Sequence, residues 1–261
     1  MSFSIDQYRL DGKVAVVTGA GGRGNSIGRA YALGLAAAGA ALVVADLNGE
    51  GAKLVAEEIA ASGGQAIAVP VDITQPDAVR AMAKAAADAF GGVDILVNNA
   101  ALMVELGNQM VVDTPVEEWD RLMAVNVTGA LNCVQAFVPQ MRARGSGKIV
   151  NQLSGGAFPA QSLYGVSKLA LLGLTTTLAR QLGREKINVN AIAPGNVTSD
   201  AGRALTPDAS PFIKLLQATV AMRVRGEPDE LVGALLLLCS SAGNWITGQT
   251  IHVDGGWVLR P

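Results

Sequence analysis

Short apolar runs recur along the 261-residue chain, and each is followed by a stretch with helical periodicity. A strand that is apolar at every position must be buried on both faces, as in a parallel sheet covered by helices on each side. The alternation therefore predicts an α/β fold with a doubly wound parallel sheet of about seven strands. The predicted strands are 14–17, 41–45, 66–71, 95–98, 148–152, 188–193 and 250–253, and the predicted helices are 27–38, 50–61, 76–90, 114–144, 162–184 and 230–239.

No repeat and no linker-like stretch interrupts this pattern, so we expect residues 1–261 to form one domain. Residues 199–225 contain Pro207 and Pro211 and lack a clear period, which predicts a lid over the core. The long helix at 114–144 is expected to begin with Thr114 as its N-cap, Pro115 at its first position and Glu117 as the reciprocal cap.

Charge and residue counts exclude several function classes. The net charge is -2, so the chain lacks the basic surface of a nucleic-acid-binding protein. It contains one histidine, His252, and two distant cysteines, Cys133 and Cys239, so we predict no metal centre and no disulfide. A Ser-His-Asp hydrolase would have to use His252. Acid–base chemistry must therefore rest on Tyr, Lys or carboxylate side chains.

The sequence also gives an expectation about location. The N-terminal residues lack the apolar run of a signal peptide, and no stretch reads as long enough to cross a bilayer. We therefore expect a cytoplasmic protein with no membrane partner.

A glycine-rich turn, TGAGGRGNSIG, joins the first predicted strand to the first helix at residues 18–28. Glycines let the backbone approach a pyrophosphate, and a helix N-terminus supplies amide donors and a positive dipole. We predict a dinucleotide phosphate site that includes Gly19, Ser26 and Ile27. The turn is longer than the usual dinucleotide fingerprint, and Ser26 stands where a glycine is expected, although it can cap the helix. A plain tight turn is the alternative interpretation.

Asp46 ends the second predicted strand. A carboxylate at this position accepts hydrogen bonds from the adenosine ribose and repels a 2′-phosphate. Leu47 and Asn48 follow without an arginine that would reverse this preference, so we predict NAD rather than NADP. Arg23 in the glycine turn could reach a phosphate and is the exception to this argument. The alternative role of Asp46 is to cap the next helix.

Tyr164 and Lys168 lie four residues apart in a predicted helix and so share one face. An ammonium group beside a phenol stabilises the phenolate, so we expect the pKa of Tyr164 to fall below its ordinary value of about 10. Such a phenol can donate and accept a proton near neutral pH. The alternative is a surface tyrosine beside a solvated lysine.

Further motifs accompany these three sites, and together they resemble one family. With the glycine turn, Tyr164 and Lys168, the chain is similar to the short-chain dehydrogenase/reductase superfamily over nearly its whole length. The other matching residues, in chain order, are Asp72, Asn98-Asn99-Ala100, Asn126, Ser154, Pro194-Gly195, Gly248-Gln249 and Asp254-Gly255-Gly256.

The resemblance implies a Rossmann fold and hydride transfer through a nicotinamide cofactor. It implies that Tyr164 donates or accepts the proton at the substrate oxygen. Lys168 would lower the pKa of that tyrosine and hold the nicotinamide ribose. Ser154 would bind the carbonyl or alcohol oxygen, and Asn126 would position a water that relays protons.

Cofactor contacts are also implied. Asp72 and Ile73 are expected at the adenine, Asn99 and its neighbours at the adenosine ribose, and Val197 with Ser199 or Thr198 at the carboxamide. The full predicted cofactor set is Gly19, Arg23, Ser26, Ile27, Asp46, Asp72, Ile73, Asn99, Ala100, Ala101, Tyr164, Lys168, Pro194, Val197 and Ser199.

Besides Ser199, which stands where a threonine usually contacts the carboxamide, the chain departs from the family pattern in three places. Ala101 replaces a usual glycine, Leu153 stands where a second serine is common, and the interval from Ser154 to Tyr164 is short. Ser162 therefore competes with Ser154 for the catalytic position, although a helix-capping role suits Ser162 better.

The residues implied at the substrate pocket, Met103, Gly156 and Phe158, are mostly apolar. We therefore expect a small-molecule substrate, a secondary alcohol or ketone with an alicyclic, aromatic or steroid-like body. The resemblance also implies a homotetramer, which agrees with the strongly apolar helix at 162–184.

Three other functions compete. The first is an NADPH-dependent 3-oxoacyl-[acyl-carrier-protein] reductase, whose acidic carrier protein would meet Arg142, Arg144, Arg180 and Arg184. The second is a nucleotide-binding regulator without turnover. The third is an enoyl reductase, suggested by the long glycine turn, although the interval between Tyr164 and Lys168 fits ketone reduction better.

Overall fold

A computed structural model describes residues 4–22, 24–103, 110–158, 162–205 and 207–259. Within these residues, seven parallel strands form one sheet in the order β3-β2-β1-β4-β5-β6-β7. The order reverses between β1 and β4, which is the arrangement of a doubly wound Rossmann sheet, so the predicted fold class is confirmed. The strands are β1 (Val14–Thr18), β2 (Ala41–Asp46), β3 (Ala66–Pro70), β4 (Ile95–Asn98), β5 (Gly147–Gln152), β6 (Ile187–Pro194) and β7 (Thr250–Val253).

Helices cover both faces of the sheet. One hydrophobic cluster joins α1, α2 and α9 to one face, and a second joins α3, α5 and α6 to the other. The helices are α1 (Ile27–Ala37), α2 (Gly49–Ala61), α3 (Pro76–Phe90), α4 (Val116–Met123), α5 (Ala130–Ala143), α6 (Leu163–Leu182), α7 (Asp200–Leu205), α8 (Pro211–Thr219) and α9 (Val232–Cys239).

Strand β1 shows why the apolar runs are continuous. Ala15 and Val17 belong to the first hydrophobic cluster, whereas Val14 and Val16 belong to the second. Successive side chains of a strand point to opposite faces. Because both faces are covered, each position of the strand must be apolar.

The predicted start of the long helix is wrong. Helix α4 begins at Val116 with Pro115 as its N-cap, and no side chain caps it. Thr114 instead ends a 3-10 turn at Val111–Asp113, and its hydroxyl donates to the carbonyl oxygen of Met110 (3.2 Å). The threonine is therefore engaged by the preceding turn and cannot form the expected capping box.

Helix α4, a π-helical turn at Ala124–Gly129 and α5 form one continuous helical run, Val116–Ala143. Among the described residues, this run is the one helix that is long and apolar enough to cross a membrane, so the expectation that no stretch has this length is wrong. Its apolar side chains Cys133, Phe137 and Met141 are fully buried in the second hydrophobic cluster. The hydropathy of the run therefore reflects its packing against the sheet.

A buried chain of polar side chains fixes α6 on the sheet. The amide of Asn98 on β4 donates to Oδ1 of Asn151 on β5 (2.9 Å), and the amide of Asn151 donates to Oγ1 of Thr175 on α6 (2.9 Å). All three residues are buried, so the loss of one of these bonds would cost more than it would at an exposed position. This network sets the position of the helix that carries Tyr164 and Lys168.

Substituting Asn151→Ala should lower the free energy of unfolding by about 2–3 kcal/mol, because it leaves the Asn98 amide and the Thr175 hydroxyl without this partner. Urea unfolding of the purified protein measures the change. Thr176→Ala, at an exposed position on the same helix, should change it by less than about 0.5 kcal/mol. Equal losses in the two variants would show that the network contributes nothing.

Candidate active site

A crevice of about 460 Å³ lies at the carboxyl ends of β1, β2, β4 and β5. Ligands of open α/β sheets bind at this edge, where the strand order reverses. Met103 and most of the predicted cofactor set line the crevice. The members of that set found there are Gly19, Ser26, Ile27, Asp46, Asp72, Ile73, Asn99, Ala100, Ala101, Tyr164, Lys168 and Ser199.

A second cavity, of about 530 Å³, lies at the opposite, amino-terminal edge of the sheet. Lys13, Asp94, Lys148 and Trp245 are among its lining residues, and it includes none of the predicted site residues. The chemistry predicted from the sequence therefore converges on the crevice at the carboxyl edge.

The glycine turn packs closely against the loop that follows β4. Gly19 has a φ of +68°, and a Cβ atom there would stand 2.7 Å from Cα of Ala100. The Asn99 amide donates to the carbonyl oxygens of Thr18 (2.9 Å) and Gly19 (3.0 Å). Asn99, predicted at the adenosine ribose, thus lines the crevice while its amide holds the glycine turn in place.

The start of α1 faces the crevice. The Ser26 side chain caps this helix by accepting a hydrogen bond from the amide of Arg29 (3.2 Å), as predicted. On the other side of the turn, the amide of Asn25 donates to the Asp200 carboxylate of α7 (3.1 Å). Arg23 lies outside the described residues.

Two carboxylates stand at one end of the crevice. Asp46 accepts hydrogen bonds from the amides of Gly21 and Asn48 (both 2.8 Å), and Asn48, not Asp46, caps α2. Asp72 accepts from the amide (2.9 Å) and the hydroxyl (2.7 Å) of Thr74. Both side chains are held by neighbouring donors, so their orientations are fixed.

Lys168 is buried at the other end, with 1% of its surface exposed. Its ammonium donates to the carbonyl oxygen of Gln152 (2.8 Å) and lies 5.4 Å from the centre of the Tyr164 ring. Burial lowers the pKa of Lys168 from 10.5 to about 7. A lysine with this pKa can exchange a proton near neutral pH.

The expected fall in the pKa of Tyr164 is wrong. Burial raises the pKa of this phenol, and a hydrogen bond with Ser154 opposes the rise only in part. The reason is geometric, because the ammonium of Lys168 lies over the ring and bonds to a carbonyl oxygen. Tyr164 and Lys168 share a helix face, but the Lys168 ammonium is directed at the backbone of β5 and not at the phenol oxygen.

Ser154 rather than Ser162 meets the phenol of Tyr164. Ser154 follows β5 and also accepts a hydrogen bond from the amide of Gly156 (3.2 Å). Ser162 caps α6 by accepting from the amide of Gly165 (3.1 Å). The geometry thus places Ser154 beside Tyr164 and gives Ser162 the helix-capping role, a choice that the sequence left open.

Asn126 lies in the π-helical turn, a feature that often occurs at functional sites. Its amide group exchanges hydrogen bonds with the backbone of Leu102 (2.8 and 3.1 Å) and donates to Oγ of Ser167 (3.0 Å). Ser167 in turn donates to the carbonyl oxygen of Tyr164 (2.7 Å). Asn126 therefore links the loop after β4 to α6, and its role in holding a water stays a prediction.

The predicted carboxamide contacts divide between two places. Ser199 lines the crevice, and its hydroxyl accepts from the amide of Gly202 (3.1 Å), whereas Thr198 donates to Glu227. Pro194 is the last residue of β6, and Val197 lines a neighbouring cavity of about 260 Å³.

Two of the three predicted substrate residues, Gly156 and Phe158, lie in the turn after β5, whereas Met103 lines the crevice. Gly156 lies two residues beyond Ser154, and the ring of Phe158 packs on His252 with 4.7 Å between the ring centres.

Two residues of the site were missed by the sequence reasoning. Gln152 lines the crevice, holds Lys168 through its carbonyl oxygen and accepts at Oε1 from the buried hydroxyl of Tyr31 (2.8 Å). The signal in the sequence was a polar residue, glutamine, at the end of a strand predicted to be buried. Trp257, near the C-terminus, lies against Gly155, and nothing local in the sequence indicates this contact.

The residues of the crevice fit a dinucleotide. Carboxylate acceptors stand at one end, and a turn without side chains at Gly19 and Gly28 leads to a helix N-terminus. Tyr164 and Lys168 line the other end, and Ser154 adjoins it through its hydrogen bond with Tyr164. Among the described residues, no three His, Cys, Asp or Glu side chains are grouped as a metal site.

Comparisons with known proteins agree with this geometry. A family model described as enoyl-(acyl carrier protein) reductase matches residues 22–258. An uncharacterised oxidoreductase of Mycobacterium tuberculosis is 45% identical over 251 residues, which cover 96% of this chain and 99% of that protein. The 7α-hydroxysteroid dehydrogenase of Escherichia coli is 38% identical over 260 residues and 98% of each chain. A 3-oxoacyl-[acyl-carrier-protein] reductase of Staphylococcus epidermidis is 38% identical over 95% of this chain and 99% of that protein.

Solved structures are similar to this chain as well. A 7α-hydroxysteroid dehydrogenase complexed with NADH and 7-oxo glycochenodeoxycholic acid has a TM-score of 0.90 and 36% identity, with 99% of both chains covered. A gluconate 5-dehydrogenase from Burkholderia cenocepacia, in complex with NADP and tartrate, has a TM-score of 0.89 and 36% identity over 97% of both chains.

The doubly wound sheet and the residues that line the crevice at its carboxyl edge are those of a nicotinamide-dependent oxidoreductase. The chain belongs to the short-chain dehydrogenase/reductase superfamily, as its motifs indicated.

The buried ammonium of Lys168 should make stability depend on pH. Between pH 7 and 10 the unfolded lysine keeps its proton while the folded one, with a pKa of about 7, has lost it. The unfolded state then binds more protons, so this group makes stability rise with pH, by up to about 1.4 kcal/mol per pH unit. Urea unfolding at pH 7, 8 and 9 should show a steeper rise of stability with pH in the wild type than in Lys168→Met, which keeps only the contribution of Lys148, whose pKa burial lowers to about 8.

Lys53→Met, at an exposed site on α2, serves as the control and should keep the wild-type slope. Parallel stability curves for the wild type and Lys168→Met would contradict the prediction.

Proposed function

We propose that this protein is an NAD-dependent oxidoreductase that interconverts a secondary alcohol and a ketone with an apolar body. The observation that carries the proposal is the convergence of Ser154, Tyr164 and Lys168 at the carboxyl edge of the sheet. A bound nicotinamide supplies or accepts the hydride, so the protein has to orient the substrate and move one proton.

In the proposed reaction, Tyr164 donates its proton to the ketone oxygen during reduction and takes it back during oxidation. Burial, which raises the pKa of the phenol, keeps the hydroxyl protonated at neutral pH, so its proton is available to the more basic alkoxide that forms during reduction. Ser154 binds the same substrate oxygen. Lys168, with a pKa of about 7, exchanges protons within the pH range of turnover. We assign to Asn126 the positioning of a relay water between Lys168 and solvent.

The choice of NAD over NADP rests on Asp46. Its carboxylate is fixed by the amides of Gly21 and Asn48 at the end of β2. A fixed anion there repels a 2′-phosphate. Relatives of this chain differ in the cofactor that their structures contain, so the preference is argued from this residue alone.

The substrate class rests on two apolar side chains predicted at the substrate. Met103 lines the crevice, and Phe158 lies four residues after Ser154 with its ring packed on His252. A relative named for a hydroxysteroid agrees with an alicyclic or steroid-like body.

A 3-oxoacyl-[acyl-carrier-protein] reductase is the second candidate, because such an enzyme is 38% identical to this chain. Two of the four arginines expected to meet an acidic carrier protein are occupied, since Arg142 pairs with Glu185 (2.8 Å) and Arg144 with Asp94 (2.9 Å). This pairing favours a free alcohol or ketone.

We also propose that the protein acts in the cytoplasm as a homotetramer. Apolar side chains exposed on α4, including Val116 and Trp119, support an assembly through the helical faces.

Tyr164→Phe should reduce NAD-dependent turnover by at least about 1,000-fold, because it removes the proton donor but keeps the ring. Spectrophotometry of nicotinamide reduction measures turnover, and fluorescence titration with NADH measures binding, which should change by less than about threefold. Tyr8→Phe, at a site distant from the crevice, controls for the loss of a phenol. A nucleotide-binding regulator would bind NADH and show no turnover before the substitution either.

The wild type should use NADH with a kcat/KM at least about tenfold above that for NADPH, because of the Asp46 charge. Asp46→Asn keeps one acceptor oxygen and removes the charge, so it should lower this ratio about tenfold. Initial rates with both cofactors measure the ratio. A wild-type preference for NADPH would refute the assignment and favour the 3-oxoacyl reductase.

A further inference from the structure

The indole of Trp257 lies against the turn that carries Ser154. A Cβ atom built on Gly155 would stand 3.0 Å from Cε3 of the indole, and one built on Gly156 would stand 3.6 Å from Cη2. The ring therefore spans both glycines that follow Ser154 in the chain. Neither the fold nor the proposed catalytic residues require an aromatic side chain at this place.

Asp254 holds the indole in position. Its two carboxylate oxygens accept hydrogen bonds from the amides of Gly256 and Val258 (both 2.9 Å). Gly255 and Gly256 have φ angles of 64° and 79°, which favour glycine. A tight turn after β7 thus directs Trp257 back over the edge of the sheet. The backbone conformation of this turn fixes the position of the indole.

The indole also contacts the segment predicted as a lid. It packs against the buried side chains of Ile213 on α8 and Val220 just beyond that helix. Trp257 therefore stands between the lid segment and the Ser154 turn.

We propose that Trp257 forms the apolar wall of the substrate pocket and packs against the ring body of the substrate, an inference that rests on the proposed function. The position of a Cβ atom on Gly156 is 3.5 Å from Oγ of Ser154 and 3.6 Å from the indole. The hydroxyl and the indole thus border the same space. A substrate whose oxygen reaches Ser154 brings its neighbouring carbons to the indole, whose flat surface suits an alicyclic or aromatic ring.

Two ketones of different size test the inference in the full-length protein with NADH. One is bicyclic (1-decalone) and the other is small (butan-2-one). In Trp257→Ala, the ratio of kcat/KM for decalone to that for butanone should fall about tenfold, mainly through KM for decalone. Trp257→Phe keeps an aromatic wall and should recover part of the ratio. It also keeps the test decisive if the alanine variant fails to fold.

Gly156→Ala adds a methyl group to the proposed pocket, whereas Trp257→Ala removes a side chain from it. Its added methyl meets neighbours at 3.5 and 3.6 Å, which is ordinary contact, so the fold should accommodate it while the pocket narrows. The ratio should again fall, because decalone needs the space that the methyl fills. Trp245→Ala is the matched control, since that indole is 99% exposed beside the cavity at the opposite edge, and its ratio should equal that of the wild type.

Ratios for Trp257→Ala, Trp257→Phe and Gly156→Ala that match the wild type would overturn the inference and leave the proposed function intact. A wild type that reduces neither ketone nor any other ring ketone would overturn both.

Discussion

The hydrogen bond from the Lys168 ammonium to the carbonyl oxygen of Gln152 joins α6, which carries Tyr164 and Lys168, to the sheet. An ammonium with 1% of its surface exposed is costly, because burial removes its hydration. One carbonyl oxygen compensates for this loss only in part, which is why the pKa of Lys168 falls to about 7. Burial of this ammonium therefore lowers the stability of the folded protein at neutral pH, and it leaves a basic group beside Tyr164.

Neighbouring elements make this arrangement rigid. Asn151 ties β5 to α6 through Thr175, and Asn126 ties the loop after β4 to the same helix through Ser167. These bonds are buried, where a side-chain network specifies one geometry more strongly than it would in water. Tyr164 and Lys168 are therefore positioned from two sides, by the sheet beneath α6 and by the π-helical turn beside it.

The sequence predicted the fold and the order of the site motifs because both are periodic or local. Apolar runs such as 14–17 report burial on two faces, and motifs at strand ends converge once the strands are parallel. The pKa of Tyr164 was predicted with the wrong sign, because spacing along a helix gives a shared face but not the direction of a flexible ammonium. Gln152 and Trp257 were missed, since their contacts join segments distant in sequence.

The glycine turn, which is the predicted phosphate site, is hydrogen-bonded directly to the segment predicted as a lid. The backbone of Asn25 in the glycine turn donates to and accepts from Asp200 at the start of α7, and the amide side chain of Asn25 reaches the carbonyl oxygen of Thr198 (3.4 Å). Glu227 accepts from both Asn25 and Thr198. The segment that leads to α8, and hence to the contacts of Trp257, therefore begins with hydrogen bonds to the glycine turn, the predicted phosphate site. Because these bonds join the turn to the lid segment, displacing either one must stretch or break hydrogen bonds with the other. Under the proposed function, we therefore expect cofactor binding at the glycine turn to affect the shape of the proposed substrate pocket.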